Sequence, residues 1–264
     1  MQPQESHSGS RLLDGRVAIV YGAGGQIGGA VSRAFARAGA TVHLAGRTAE
    51  PVEQLAVELR AAGWQAEPAV VDALDEEQVE RHAAAVVEQS GRIDISLNVI
   101  GIGEVMGTPL VDMSLADFER PIHLGVRTAF LTARAAARQM SAQGSGVLLF
   151  FGGTGDPVRG FGMGGFQVAL QAVDHLQKQF AAELGPRGVR TVMIQTGGVL
   201  GDTPADPVEA AEFAQIAEMV TADTMLGRAA LLEDVGNVAV FAASEHARTI
   251  TAANLNISAG AILP

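Results

Sequence analysis

The fold follows most directly from residues 17–38, which read VAIVYGAGGQIGGAVSRAFARA. The first five residues, Val17–Tyr21, form an apolar run that predicts a buried strand. A turn with five glycines follows, and from Ile27 onward apolar residues recur at helical spacing. Such a turn lets backbone N–H groups approach a pyrophosphate at the helix N-terminus. The stretch therefore predicts a dinucleotide-binding opening, and a plain tight turn between strand and helix is the alternative.

Length and composition point to one large domain. The chain has 264 residues, which is enough to bury a sizeable core, and no internal repeat or linker divides it. Residues 1–13 are interpreted as a disordered polar tail, and residues 14–264 as a single dinucleotide-binding domain. The first ten residues lack the basic and then apolar layout of a signal peptide, so we expect a cytoplasmic protein.

Charge and cysteine content exclude several classes of function. The net charge of −11 disfavours binding to nucleic acid, and no apolar run approaches the length of a membrane span. The chain contains no cysteine, so it has no disulfide, no thiol nucleophile and no thiolate metal site. We predict no metal site, no nucleic-acid partner and no membrane partner, and expect a small-molecule ligand.

Apolar runs alternate with helical patterns along the whole chain. This alternation predicts an α/β fold of the Rossmann type, with a doubly wound, mainly parallel, seven-stranded sheet and helices on both faces. Ligands of such sheets bind beyond the C-terminal ends of the strands. The predicted strands are 17–21, 41–45, 66–71, 93–99, 147–151, 189–195 and 254–258, and the main later helices are 51–62, 115–140, 166–184, 207–220 and 234–243.

Two strand ends bear on the choice of cofactor. NAD-specific sites usually carry an acidic residue at the end of the second strand, where this chain has Gly46 followed by Arg47. A guanidinium without a neighbouring carboxylate suits a 2′-phosphate, so NADP(H) is favoured over NAD(H). The alternative is a solvated surface arginine. Asp72, after the third strand, is either a partner for the adenine amino group or a cap for the next turn.

Four segments together resemble the short-chain dehydrogenase/reductase family. The first resembles the nucleotide-binding signature of the family, although Gln26 stands where a third glycine is usual and Tyr21 where threonine is usual. The others resemble the N-N-A-G segment, the stretch before the P-G motif, with Thr196 in place of proline, and the C-terminal strand and turn. The segments are LDGRVAIVYGAGGQIG (13–28), DISLNVIG (94–101), ELGPRGVRTVMIQTG (183–197) and AASEHARTITAANLNISAG (242–260).

The resemblance implies where a dinucleotide would bind. Because a side chain at Gln26 crowds the pyrophosphate place, a protein that binds no cofactor remains an alternative. Members of the family commonly form homodimers or homotetramers through two long helices and the last strand. The implied cofactor-binding residues are Gly22, Gly24, Gln26, Ile27, Gly28, Arg47, Asp72, Ala73, Asn98, Gly101 and Gly197.

The resemblance also implies four catalytic places. The family typically uses asparagine, serine, tyrosine and lysine, and the matching positions here are Gly125, Gly153, Phe166 and Leu170. The chain contains one tyrosine, Tyr21, and one lysine, so a Y-x-x-x-K motif exists nowhere in it. A general acid typically contributes about 10²–10⁴-fold to a rate, so ordinary alcohol and ketone chemistry by the family mechanism is disfavoured.

Few side chains offer themselves as substitutes. Thr154 lies one residue after the serine place, Asp156 lies in the same loop, and His123 lies two residues before Gly125 on a predicted helix. Two helical positions rotate a side chain by about 200°, so His123 is expected to point away from the Gly125 face. Asp156, next to Pro157, fits a turn former as well as a base.

Three classes of function follow from this pattern. The first is an atypical NADP(H)-dependent oxidoreductase that acts on an activated apolar or aromatic small molecule, such as a quinone, an iminium or a conjugated enone. The second is a non-redox isomerase, dehydratase or cyclase on the same scaffold. The third is a non-catalytic member that binds a dinucleotide or a partner chain. Consumption of the cofactor separates the first class from the other two.

Overall fold

The computed structural model describes residues 11–157, 159–204 and 206–263. Seven strands form one sheet in the order β3-β2-β1-β4-β5-β6-β9, and every neighbouring pair is parallel. The predicted fold class is confirmed. These strands are β1 (Val17–Tyr21), β2 (Thr41–Gly46), β3 (Ala66–Val70), β4 (Ile95–Asn98), β5 (Gly146–Gly152), β6 (Val189–Gln195) and β9 (Ala253–Asn256).

Helices cover both faces of this sheet. Helices α1, α2 and α7 bury their apolar sides on one face, and α3, α4 and α5 bury theirs on the other. Parallel strands covered on both faces read as continuous apolar runs, which is why all five residues of β1 are buried. The helices are α1 (Gln26–Arg37), α2 (Ala49–Ala61), α3 (Glu76–Ser90), α4 (Leu115–Gln143), α5 (Gly165–Leu184), α6 (Pro207–Ala222) and α7 (Leu232–Ala243).

The order of the strands indicates where a ligand-binding site is expected. The chain winds outward from β1 to β3, then returns and continues from β4 on the other side of β1. The crevice at this switch point, beyond the carboxyl ends of β1 and β4, is where open α/β sheets bind ligands. None of the helices among the described residues is long and apolar enough to cross a membrane.

Several boundaries differ from the sequence-based prediction. The long helix predicted to end at Met140 continues to Gln143, and Gly144 closes it in the left-handed conformation with φ +74°. A pair of two-residue strands was not predicted: β7 (Val199–Leu200) and β8 (Ala230–Leu231) form a separate parallel ladder. Two residues are too few to show a periodic pattern, so the sequence carries no signal for them.

The predicted N-terminal tail is placed only in part. Residues 1–10 lie outside the described residues. Leu13 is fully buried, and its N–H donates to the carbonyl of Ala38 at 2.9 Å. Residue 13 therefore belongs to the folded part of the chain rather than to a tail.

A histidine buried beside the sole tyrosine makes the fold sensitive to acid. His82 of α3 places Nδ1 3.3 Å from the Tyr21 hydroxyl, and its Nε2 has no hydrogen-bond partner among the described residues. Burial lowers the pKa of His82 from 6.5 to about 4, and the charge on nearby His43 adds to this. The folded state therefore holds His82 neutral, while the unfolded chain takes up a proton below pH 6.5.

We expect the free energy of unfolding to fall by about 3 kcal/mol as the pH drops from 6.5 to 4, since each unit of pKa shift is worth about 1.36 kcal/mol. The variant His82→Leu removes the group and should lose most of this dependence, leaving the smaller part that comes from His43. Urea unfolding of the wild-type protein and of His82→Leu at pH 7.5 and pH 4.5 measures the two pH dependences. The exposed His123 provides the control, and His123→Gln should keep the wild-type dependence. A His82→Leu protein with an unchanged loss of stability in acid would contradict this account.

Candidate active site

A cavity of about 300 Å³ lies beyond the carboxyl ends of the central strands. Residues from the first turn of α1, the ends of β4, β5 and β6, and the facing sides of α4 and α5 line it. Most of the lining is apolar. The lining residues are Ile27, Asn98, Val99, Ile100, Gly101, Ile102, Glu104, Gly125, Thr128, Ala129, Phe150, Phe151, Gly152, Gly153, Phe166, Leu170, Val173, Met193, Thr196 and Gly197.

Two glycines allow α1 to start directly at the end of β1. Gly22 has φ +87°, and a Cβ atom there would lie 2.9 Å from the carbonyl oxygen of Val99. A Cβ atom at Gly28 would lie 2.1 Å from the carbonyl oxygen of Gly22. No other residue fits either place without moving the backbone, so the turn depends on both glycines.

The first turn of α1 offers free backbone donors. Gly25 is the N-cap and has no side chain with which to cap the helix. Within the described part of the chain, no acceptor takes the N–H groups of Gln26, Ile27 and Gly28. Free N–H groups at the N-terminus of a twelve-residue helix form a ready anion site. This arrangement fits the pyrophosphate of a dinucleotide.

Gln26 extends from this turn toward the loop after β7. Its Oε1 lies 1.9 Å from the point where a Cβ atom of residue 201 would stand, so Gly201 gives the side chain its room. The Gln26 side chain is exposed, and with Asp202 it borders a polar cleft beside α1. The amide therefore lies next to the free N–H groups, and crowding of a pyrophosphate by Gln26 stays a prediction.

The ends of β2 and β3 lie on the same side of the switch point. Arg47 is exposed, and no carboxylate lies within 4.0 Å of its guanidinium in the described ranges. A Cβ atom at Gly46 would come within 2.8 Å of Val52 Cγ1 of α2, so α2 packs on the bare backbone of β2. The carboxylate of Asp72 accepts the N–H of Leu74 at 3.0 Å, which is the turn-capping role weighed for it above. The next residue, Ala73, is buried.

Asn98 holds the end of β4 in place. Its Nδ2 donates to Thr132 Oγ1 at 3.2 Å, and its Oδ1 accepts the N–H of Ile100 at 2.9 Å. These bonds tie β4 to α4 and fix the start of the loop that contains Gly101. Across the cavity, Gly197 packs against the C-terminal turn, where a Cβ atom would lie 3.0 Å from Ala261 Cβ.

Hydrocarbon lines the inner wall of the cavity. Ile102 covers Gly125, where a Cβ atom would lie 3.2 Å from Ile102 Cγ2. Leu170 folds over the end of β5, with its methyl groups 3.1 and 3.4 Å from the Cβ places of Gly152 and Gly153. Phe166 stands one helical turn before Leu170 on α5 and also lines the cavity. All four positions that the resemblance identifies as catalytic places therefore line one cavity.

The three weak substitutes lie elsewhere. Thr154 donates its hydroxyl to Asp156 at 2.8 Å, and Asp156 returns its N–H to Thr154 Oγ1, so both serve a local turn. His123 is exposed on α4. None of the three is among the residues that line the cavity.

Neither the single tyrosine nor the single lysine is among the residues that line the cavity. Tyr21 is 1% exposed, and burial raises the pKa of its phenol well above the ordinary value. Lys178 lies toward the C-terminal end of α5, where its ammonium is 2.5 Å from the carboxylate of Asp174. Neither residue is placed to act on a molecule in the cavity.

The structure adds cavity residues that the sequence analysis did not single out. Glu104 is the one ionisable side chain in the lining, and it follows the glycine-rich segment after β4. Its position beyond a strand end was the available signal. Ile102, Thr128 and Met193 also line the cavity, but each reads in the sequence as an ordinary core or loop residue.

Comparison with known proteins places the chain in a family. A family model described as enoyl-(acyl carrier protein) reductase matches residues 22–261. The 7alpha-hydroxysteroid dehydrogenase of Escherichia coli (strain K12) is 28% identical over 256 residues, which cover 97% of this chain and 98% of that protein.

Two solved structures are similar over nearly the whole chain. A 7 alpha-hydroxysteroid dehydrogenase complexed with NADH and 7-oxo glycochenodeoxycholic acid has a TM-score of 0.83 and 27% identity, covering 95% of this chain and 96% of that one. A gluconate 5-dehydrogenase from Burkholderia cenocepacia J2315, in complex with NADP and tartrate, has a TM-score of 0.83 and 25% identity, covering 96% and 97%. With the family match over residues 22–261, the chain belongs to the short-chain dehydrogenase/reductase family of oxidoreductases.

Proposed function

We propose that this protein is an NADP(H)-binding oxidoreductase that acts on an activated apolar or aromatic small molecule without a tyrosine–lysine acid–base pair. The observation that carries the proposal is the inner wall of the cavity. Gly125, Gly153, Phe166 and Leu170 place only hydrogen and hydrocarbon where the family resemblance locates its catalytic groups. A cavity of this kind binds flat apolar molecules and excludes water from them.

The residues around the switch point fit a nicotinamide dinucleotide. The N–H groups of Gln26 and Ile27 would hold the pyrophosphate, with Gly22, Gly24 and Gly28 shaping the turn. Asn98, Gly101 and Gly197 border the place for the nicotinamide end, and Asp72 and Ala73 border the adenine end. When bound, the dinucleotide supplies hydride chemistry, and the protein contributes binding and orientation.

Two features support a preference for the 2′-phosphate. The guanidinium of Arg47 is exposed and has no carboxylate neighbour in the described part of the chain, so it is available for a phosphate. Gly46 cannot be exchanged for an acidic residue without a clash with Val52, since a Cβ atom there lies 2.8 Å from Val52 Cγ1. One solved relative holds NADH and another NADP, so the choice depends on this chain's own residues.

The reaction class follows from what the cavity does not offer. Reduction of an unactivated ketone needs a proton for the developing alkoxide, and Phe166 has none to give. Tyr21 is buried at the end of β1 and Lys178 is paired on α5, so neither replaces it. Substrates that carry their own activation, such as quinones, iminium ions and conjugated enones, avoid this requirement.

A non-redox enzyme is the second candidate. The same hydrocarbon wall favours an isomerisation, dehydration or cyclisation that is assisted mainly by the shape of the cavity. A non-catalytic binding subunit is the third. All three candidate functions are compatible with assembly into a homodimer or homotetramer. The exposed side chains of Phe130 on α4 and Val168 on α5 support a contact between subunits through these helices.

We expect micromolar binding of NADPH and clearly weaker binding of NADH, measured by nicotinamide fluorescence and by binding heat. Loss of a charged hydrogen bond costs about 1.5–3 kcal/mol, so Arg47→Ala should weaken NADPH roughly 10- to 100-fold and leave NADH unchanged. Arg37→Ala, an exposed arginine at the other end of α1, is the matched control. No binding at millimolar cofactor would overturn the redox proposal.

We expect the protein to reduce 1,4-naphthoquinone with NADPH and to leave α-tetralone, an aryl ketone without the activation of a quinone, almost untouched. The missing acid should separate the two rates by about 10²–10⁴-fold, after subtraction of the uncatalysed quinone reaction. The double variant Phe166→Tyr, Leu170→Lys supplies the absent groups and should raise tetralone reduction. Equal rates on both substrates with the wild-type protein would contradict the proposal, and product formation without loss of NADPH would favour the non-redox candidate.

A further inference from the structure

One charged side chain stands among the hydrocarbon of the cavity. We propose that the cavity binds an organic cation, meaning an apolar or aromatic molecule with a quaternary ammonium, protonated tertiary amine or iminium nitrogen, and that Glu104 is its counter-ion. The inference rests on the proposed function in one respect, since it takes this cavity as the substrate site. It adds the charge of the ligand, which that function leaves open.

Glu104 carries a charge that nothing nearby neutralises. The residue is exposed at the mouth of the cavity, and its carboxylate has no hydrogen bond or ion pair to any described residue. Arg120 of α4 passes close by, with its Cδ 3.2 Å from the Cβ place of Gly103. Its guanidinium, however, is bound to the carboxylate of Asp117 at 3.0 Å. The negative charge of Glu104 is therefore directed at the cavity and the solvent.

Aromatic rings line the same cavity. Phe150 and Phe151 come from the end of β5, and Phe166 comes from the first turn of α5. The face of an aromatic ring attracts a cation, and rings combined with carboxylates are how proteins hold quaternary ammonium groups. Since no lysine, arginine or histidine is in the lining, Glu104 is the one charged side chain among the lining residues.

The remaining polar groups are largely committed to the protein. Thr128 donates its hydroxyl to the carbonyl of Leu124 at 2.7 Å, and Asn98 uses both ends of its amide within the fold. Recognition of a neutral polar ligand therefore has few free partners. A charge that Glu104 can balance is the strongest polar interaction that the cavity offers.

Charge also disfavours the opposite class of ligand. The chain carries a net charge of −11, which includes the carboxylate of Glu104 at the cavity. A carboxylate ligand would meet repulsion from Glu104, whereas a cation is attracted to it. The similar 7 alpha-hydroxysteroid dehydrogenase is complexed with an acid, 7-oxo glycochenodeoxycholic acid. We therefore expect this chain to differ from that protein in the charge of its ligand.

Two probes of equal shape isolate the charge. (3-Hydroxyphenyl)trimethylammonium and 3-tert-butylphenol differ only in a nitrogen for a carbon, and titration calorimetry of the full chain measures both. A partly exposed ion pair with aromatic contacts predicts that the cation binds roughly tenfold more tightly. Glu104→Gln should remove most of this preference and leave the smaller part that the rings contribute. Asp112→Asn removes the same charge from the same loop outside the cavity, and should keep the wild-type preference.

A second variant and a second readout distinguish failure of this inference from failure of the proposed function. Phe166→Leu keeps the carboxylate but removes a ring, and should lower the affinity for the cation more than that for the phenol. Equal affinities in the wild type, or a preference that Glu104→Gln leaves undiminished, would overturn the inference. NADPH binding, followed by fluorescence in the same samples, reports on the proposed function alone. NADPH binding without a charge preference overturns only this inference, and a charge preference without NADPH binding supports it while overturning the redox proposal.

Discussion

The approach of Gly28 to Gly22 is the contact on which the site depends. A Cβ atom at residue 28 would lie only 2.1 Å from the carbonyl oxygen of Gly22, so the first turn of α1 rests directly on the end of β1. This contact points the free N–H groups of Gln26 and Ile27 beyond the sheet, at the switch point between β1 and β4. The anion-binding turn and the neighbouring cavity are consequences of that packing.

Beside this turn, the cavity has a different chemical character. Ile102 covers Gly125, and Leu170 covers Gly153. The space beside these glycines, on α4 and at the end of β5, is therefore filled by aliphatic side chains of neighbouring segments. The glycines and the aliphatic side chains complement one another, because each glycine leaves room for the aliphatic side chain that packs on it. Such a wall can bind a ligand by its shape but has no group that transfers a proton. Glu104 is the one charged side chain in the lining.

The sequence predicted most of the fold, and the residues that it singled out for the candidate site stay a prediction. Continuous apolar strands and amphipathic helices produced the sheet, and β6 (Val189–Gln195) lies where it was predicted. Helix ends were less predictable, because α4 stops where Gly144 adopts a left-handed conformation. The sequence analysis did not identify Glu104 as a cavity residue, because its position beside α4 and α5 depends on the path of a loop. For Asp72, the turn-capping alternative is the one with a hydrogen bond in the structure, to Leu74.

If the proposed function holds, no side chain in the cavity moves a proton during the reaction. The most direct test is the pH dependence of 1,4-naphthoquinone reduction at saturating NADPH between pH 6.5 and 9.5. Apart from Glu104, no residue that lines the cavity has an ionisable side chain. We expect a rate that changes less than about twofold across the range, because no general acid is lost. A rate that falls tenfold per pH unit above a midpoint would show a titrating acid in the site and contradict this expectation.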